Sequence, residues 1–125
     1  MSKRILIIDD EDAIREVMQG CLEELGSWEV LTAGSGREGL HLAQTEQPDG
    51  ILLDVSMPEM NGFEVLRGLR EIPETEHIPV LLLTATIQLD KQINLVQWGV
   101  ADIILKPFSP FEVIDQIAAA LGWNA

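Results

Sequence analysis

The sequence predicts an α/β fold, a doubly wound sheet of five parallel strands in the order 2-1-3-4-5 with five helices. Three observations carry that expectation. Short apolar runs alternate with segments of helical periodicity along the whole chain, the pattern of repeated βα units. Strands one, three, four and five read as nearly continuous aliphatic runs, as expected where helices cover both faces of a parallel sheet. The second strand is more polar and therefore belongs at an edge. In such sheets the binding crevice opens beyond the carboxyl ends of the strands, near the switch point between strands one and three.

Each element has a local reason. Strand one is Arg4–Ile8 (RILII). The first helix, Asp12–Leu25, sets Ala13, Ile14, Val17, Met18, Cys21, Leu22 and Leu25 on one face, with Gly26 placed to end it. Strand two covers Trp28–Ala33, and a short helix over Arg37–Thr45 turns Leu40 and Ala43 inward before Pro48 stops it. Strand three is Gly50–Leu53. The third helix, Gly62–Glu71, presents Phe63, Leu66 and Leu69 to the core. A polar loop bounded by prolines (EIPETEHIP) leads to strand four, Val80–Leu83. The fourth helix is Gln88–Trp98, closed by Gly99, and strand five is Asp102–Leu105. Ser109 as N-cap, Pro110 at the first position and Glu112 three residues after the cap form a predicted capping box for the last helix, which ends at Leu121–Gly122.

Composition narrows the function classes. A chain of 125 residues has the size of one domain, and we read residues 1–125 as a single domain with no linker or repeat. The lack of a linker after Gly122 favours a stand-alone unit over a piece of a longer protein, although a cut-out piece has the same sequence. Apolar runs reach about five residues, against the roughly 20 that a membrane span needs. MSKR followed directly by ILII is not a secretory signal, and a single cysteine, Cys21, forms no internal disulfide; both suggest a cytoplasmic setting. With 21 acids against 8 bases the formal charge is −13, which phosphate backbones would repel, so direct nucleic-acid binding by this chain is not expected.

The acids are not scattered. Strand one runs into Asp9-Asp10-Glu11, strand three into Asp54, strand four into Thr84, and strand five into Lys106-Pro107. With the predicted topology these side chains converge on one pocket. Carboxylates gathered so closely repel one another, so either some are protonated or a cation sits among them. An all-oxygen site suits a hard divalent ion, above all Mg²⁺, with Asp9, Asp10 and Asp54 supplying oxygens and the backbone carbonyl of Ser56 completing the shell. Asp54, fixed at the end of a central strand, is a candidate nucleophile, since aspartates form aspartyl-phosphates. Lys106 offers a compact positive charge, and Thr84 a hydroxyl, to phosphoryl oxygens.

Four stretches in this order, Ile5–Glu11 (ILIIDDE), Leu53–Gly62 (LDVSMPEMNG), Thr84-Ala85 and Lys106-Pro107-Phe108 (KPF), resemble the receiver domain of two-component response regulators over the whole chain. The resemblance implies a flavodoxin-like fold and a phosphorylation-controlled switch rather than an enzyme with a substrate of its own. It implies Asp54 as the phosphoacceptor, Asp9 and Asp10 as the acidic metal pair, Thr84 as the switch hydroxyl and Lys106 as the lysine that pairs with the phosphoryl group. It further implies Mg²⁺, a sensor histidine kinase, phosphotransfer protein or small acyl phosphate as donor, and a cis peptide at Lys106–Pro107. The face of the fourth helix, fifth strand and fifth helix would then change its affinity for a downstream partner or output domain. Members of the family often carry Tyr or Phe three residues before the lysine; here that residue is Ile103, so an aromatic gate at this position is excluded.

Blander roles stand beside these. Asp9 and Asp10 also suit helix capping, and Asp54 an Asx-turn into Pro58. His41 and His77 are polar-flanked and read as surface residues, Cys21 as core, and Trp28 and Trp123 as plugs at the core's edges. Trp98 reads either as core filler or as part of a partner patch. A phosphatase of the haloacid-dehalogenase type, which also uses an Asp nucleophile, needs a second Asp where Ser56 stands. A binding module that keeps the fold but no longer uses phosphate is the other alternative; the absence of Mg²⁺ binding would favour it. The last helix (SPFEVIDQIAAALG) carries no Lys or Arg, which argues against charged dimer contacts through it.

Overall fold

The computed structural model of the protein describes residues 3–57, 59–85 and 98–123. Strands β1 (Arg4–Ile8), β2 (Glu29–Ala33), β3 (Gly50–Asp54), β4 (Val80–Thr84) and β5 (Val100–Leu105) form one parallel sheet in the predicted order, β2-β1-β3-β4-β5. Helices α1 (Asp12–Glu24), α2 (Gly36–Glu46), α3 (Gly62–Glu71) and α4 (Pro110–Leu121) complete the elements. The helix predicted over Gln88–Trp98 lies outside the described residues apart from Trp98, so α4 here denotes the C-terminal helix.

Side chains alternate along each strand, and the sheet accordingly feeds two cores. Leu6, Ile8, Ile51, Leu53, Val80 and Leu82 pack on one face with Ala43 of α2 and Val65, Leu66 and Leu69 of α3. Ile5, Ile7, Leu52, Leu81 and Leu83 pack on the other with Met18 and Leu22 of α1 and Val113, Ile114 and Ile117 of α4. Many of these side chains are fully buried, each contributing about 1.5–3 kcal/mol relative to exposure. At the edge of the second core, Trp28 and Trp123 meet edge to face, ring centroids 5.1 Å apart and planes at 78°.

The structure corrects three readings. The buried stripe of α1 is narrower than predicted: Met18 and Leu22 are buried, Ile14 and Cys21 half-buried, and Ala13, Val17 and Leu25 exposed. Val17 and Ala13 lie off the stripe when stepped at helical spacing, and Leu25 is the C-cap, beyond the helix proper. β5 is aliphatic in sequence yet leaves Ala101, Asp102 and Leu105 exposed, because it forms the sheet's second edge; its register with β4 shifts between Val80 and Leu81. Ser109 is the N-cap of α4 with Pro110 following, but its side chain makes no capping bond. Proline at the first position presets the turn, and Glu112 lines the open cavity beside β5. The capping box belongs to α3 instead: Asn61 Oδ1 accepts from the Glu64 amide (3.0 Å) and Glu64 Oε1 from the Asn61 amide (3.2 Å).

Two local devices set the geometry at the sheet's two ends, Arg70 at the amino end and Gly62 at the carboxyl end. The half-buried Arg70 of α3 donates to the carbonyls of Trp98 (2.6 Å), Gly99 (3.2 Å), Thr75 (3.3 Å) and Glu76 (3.0 Å), tying the turn after α3 to the entry of β5. Gly99 sits at φ +73°, and a Cβ there would lie 2.9 Å from the guanidinium. The Gly62 amide donates to the Val55 carbonyl (2.9 Å), folding the start of α3 back onto the end of β3. A Cβ on Gly62 would lie 2.5 Å from the Asp54 carbonyl oxygen and 2.7 Å from Val55 Cα, both backbone atoms. Gly62→Ala is therefore expected to cost roughly 1–3 kcal/mol in urea unfolding, since backbone must move to admit the methyl. A stability equal to wild type would show that the loop yields freely.

Candidate functional site

β1 delivers Asp9 immediately past its last residue, and β3 ends on Asp54; the two strands are neighbours, with Ile8 opposite Leu53. Asp9 is fully buried and Asp54 is 1% exposed. Each carboxylate has one oxygen engaged. Asp9 Oδ1 accepts from the Glu11 amide (2.9 Å), and Asp54 Oδ1 from the Ser56 amide (3.2 Å) and Lys106 Nζ (3.3 Å). The other oxygens, Asp9 Oδ2 and Asp54 Oδ2, are buried without a hydrogen-bond partner. Lys106, which follows β5, also lies 3.9 Å from Asp9 Oδ2 and 3.6 Å from Glu11 Oε1.

The electrostatics follow from that burial. Removal from water raises the Asp9 pKa from 3.8 to about 6; the Glu11 amide opposes the rise, and the charge of Asp54 adds to it. Burial also raises Asp54, against the pull of Lys106 and of the Ser56 amide. Desolvation lowers the pKa of Lys106, but the charges of Asp54 and Asp9 outweigh it, so the net shift is upward and the ammonium persists. One lysine thus faces three carboxylates, a local excess of negative charge.

The donor set fits a divalent cation. Asp9 and Asp54 each keep a buried oxygen without a hydrogen-bond partner, and one oxygen from each of Asp9, Glu11 and Asp54 lies within 4.8 Å of the others. A site of oxygens only, with carboxylates in excess, suits a hard ion such as Mg²⁺.

Of the residues singled out in the sequence, Asp9, Asp54 and Lys106 are brought into direct proximity. Asp10 is half-buried, and its charge helps to raise Asp54. Ser56 is exposed, with its amide on Asp54. Thr84 is the buried last residue of β4, and its carbonyl accepts from the Lys106 amide (2.8 Å). Lys106–Pro107 is cis, as expected. Ile103 packs half-buried against the first core, as does Trp98, which also lines a small cavity with Phe63, Leu66 and Arg67. His41 and His77 are exposed. The sequence assigns Glu11 no role of its own; its one hint is the run of three acids after β1. Among the described residues no helix is long and apolar enough to cross a membrane.

Residues 5–118 match the family profile of the response regulator receiver domain. The chain belongs to that family. It is 43% identical over 122 residues to the alkaline phosphatase synthesis transcriptional regulatory protein PhoP of Bacillus subtilis, covering 97% of this chain and 49% of that protein. It is 40% identical over 121 residues to the transcriptional regulatory protein SrrA of Staphylococcus aureus, covering 97% and 48% respectively. The receiver chain therefore spans about half the length of these curated relatives. Among solved structures, the chemotaxis response regulator CheY4 of Vibrio cholerae superposes with a TM-score of 0.87 at 32% identity, covering 96% of this chain and 99% of that one. The receiver domain of a Pseudomonas aeruginosa sensor histidine kinase, solved with magnesium coordinated in its active-site cleft, superposes with a TM-score of 0.84 at 27% identity, covering 98% and 99%. The chain is thus a regulatory domain of the two-component class, a phosphoacceptor switch.

The receiver's acidic pocket has a cost. Because Asp9 binds its proton more readily folded than unfolded, its charge weakens the fold progressively as pH rises from about 4 through about 6, and fully above that. Asp9→Asn removes the charge. In magnesium-free buffer at neutral pH it is expected to be more stable than wild type by roughly 1–3 kcal/mol in urea unfolding. A variant no more stable than wild type would refute this account of the pocket.

Proposed function

We propose that this receiver takes a phosphoryl group on Asp54 from a sensor histidine kinase, a phosphotransfer protein or a small acyl phosphate. The observation that carries the reading is Asp54 itself: a buried carboxylate at the end of a central strand, with Oδ1 held by Lys106 and the Ser56 amide and Oδ2 unpartnered. The free oxygen is the nucleophile. A bond forms between it and phosphorus as the bond from phosphorus to the donor's nitrogen or acyl oxygen breaks, the electron pair leaving with the donor. Asp9, Asp10, Asp54 and the Ser56 carbonyl would hold Mg²⁺, which when bound neutralises charge on the phosphoryl oxygens. Lys106 holds its ammonium beside the reacting carboxylate and pairs with one phosphoryl oxygen, while the Thr84 hydroxyl donates to another. Water later hydrolyses the acyl phosphate and regenerates the carboxylate, so the domain turns over only its own phosphoryl group.

The readout in this proposal is the surface around β5. Ile103, Leu105, Phe108, Glu112 and Gln116 line an open cavity of about 260 Å³ between β5 and α4, and Leu105 of this lining and Phe111 of α4 are exposed apolar side chains. Phosphorylation shifts the packing of Thr84 and Ile103 between two arrangements, and with it the affinity of this face for a protein partner or output domain. The receiver itself touches neither nucleic acid nor membrane in this reading, in keeping with its net charge of −13. Its setting is the cytoplasm.

Intact mass after incubation with acetyl phosphate tests the assignment. One phosphoryl adduct is expected with Mg²⁺, and none without the ion or in Asp54→Asn. Undiminished labelling of Asp54→Asn would remove Asp54 as acceptor.

A further inference from the structure

Glu11 is the N-cap residue of α1, yet its side chain makes no capping bond. N-caps favour Ser, Thr, Asp and Asn because a short side-chain oxygen reaches the free amides of the first turn. Glu11 departs from that preference, and its carboxylate lies beside the site instead, Oε1 3.6 Å from Lys106 Nζ. Its own amide is bound to Asp9 Oδ1, so the backbone beneath it is fixed. Three carboxylates surround Lys106. Those of Asp9 and Asp54 are buried at strand ends, whereas the Glu11 side chain is 58% exposed.

We infer that Glu11 is a displaceable counter-charge that competes with the incoming phosphoryl group for Lys106, and so limits how fast anionic donors are accepted. The inference rests on Asp54 as acceptor. A phosphoryl oxygen that is to pair with Lys106 must displace one of its present partners. Asp9 and Asp54 are held by their strands and by backbone amides, which leaves Glu11 to withdraw. Its departure costs little, because exposed ion pairs are weak. While in place, it sets a further negative charge beside a pocket that already holds Asp9 and Asp54, and an acyl phosphate dianion is repelled. The displacement is non-covalent; the Asp54 oxygen still forms its bond to phosphorus as the acyl carboxylate leaves with the electron pair.

The test is the rate of adduct formation at saturating Mg²⁺ in wild type, Glu11→Gln and Glu16→Gln, together with calorimetric Mg²⁺ titrations. Glu16 is an exposed acid further along α1. Glu11→Gln is expected to speed labelling by acetyl phosphate about three- to fivefold, and by the less negatively charged phosphoramidate by a smaller factor. The gain should shrink at high salt. Glu16→Gln should leave the rate unchanged. Mg²⁺ affinity in Glu11→Gln should fall by no more than about threefold, because the proposed ligands are Asp9, Asp10, Asp54 and the Ser56 carbonyl, with Glu11 engaged on Lys106 instead. A rate no faster than wild type overturns the inference, as does equal acceleration by Glu16→Gln. Slower labelling with strongly weakened Mg²⁺ binding also overturns it, making Glu11 a cation-binding residue instead. Asp54→Asn, run in parallel, separates the two claims. Labelling of that variant defeats the acceptor assignment, whereas its silence beside an unaccelerated Glu11→Gln defeats the competition alone.

Discussion

Two carboxylates, Asp9 and Asp54, are held side by side in the dry end of a parallel sheet with a single lysine between them. Neither can retreat into solvent, because each continues a central strand and is pinned through one oxygen to a backbone amide two residues on. Such a group is stable only if the surrounding fold tolerates the repulsion, and the pocket becomes comfortable when positive charge arrives. Readiness to bind and the local cost of folding therefore have the same origin.

The rest of the molecule supplies that tolerance. Aliphatic side chains on both faces of the central strands give the sheet two separate cores, so the strand ends carrying the acids are anchored from above and below. Gly62 lets the chain fold back within contact distance of the Asp54 carbonyl, and the Asn61–Glu64 box begins α3 at once. The loop after β3 is thereby fixed at its far end. Trp28 and Trp123 close the second core.

Much of this was legible in the sequence. The strand order follows from which runs are continuously aliphatic, and the convergence of Asp9, Asp54 and Lys106 follows from that order alone, because a parallel sheet gathers its carboxyl ends. What the sequence concealed depended on neighbours or on boundaries. Leu105 looks as buried as Leu53, but one is on an edge strand and the other in the centre. Leu25 has core periodicity yet falls just past the helix end. Ser109 and Glu112 have the spacing of a capping box without making one, while Asn61 and Glu64 make one with the less familiar first residue. Glu11 shows the same limit: nothing in the string says that an N-cap side chain will turn towards a lysine ninety-five positions later.

Arg70 binds four carbonyls and reads no side chain in doing so. Such a clasp constrains the path of the main chain while leaving the identities of Thr75, Glu76 and Trp98 unspecified by that contact; only Gly99, pressed against the guanidinium, is barred from gaining a Cβ. The buried Thr75 is held by its own hydroxyl on the Leu69 and Ile72 carbonyls and Trp98 by the first core, so the exposed Glu76 is where this corner can change its chemical character without losing its shape. Receivers built on this corner can acquire new recognition at Glu76 by single substitutions, with the geometry of the acidic pocket at the sheet's other end untouched.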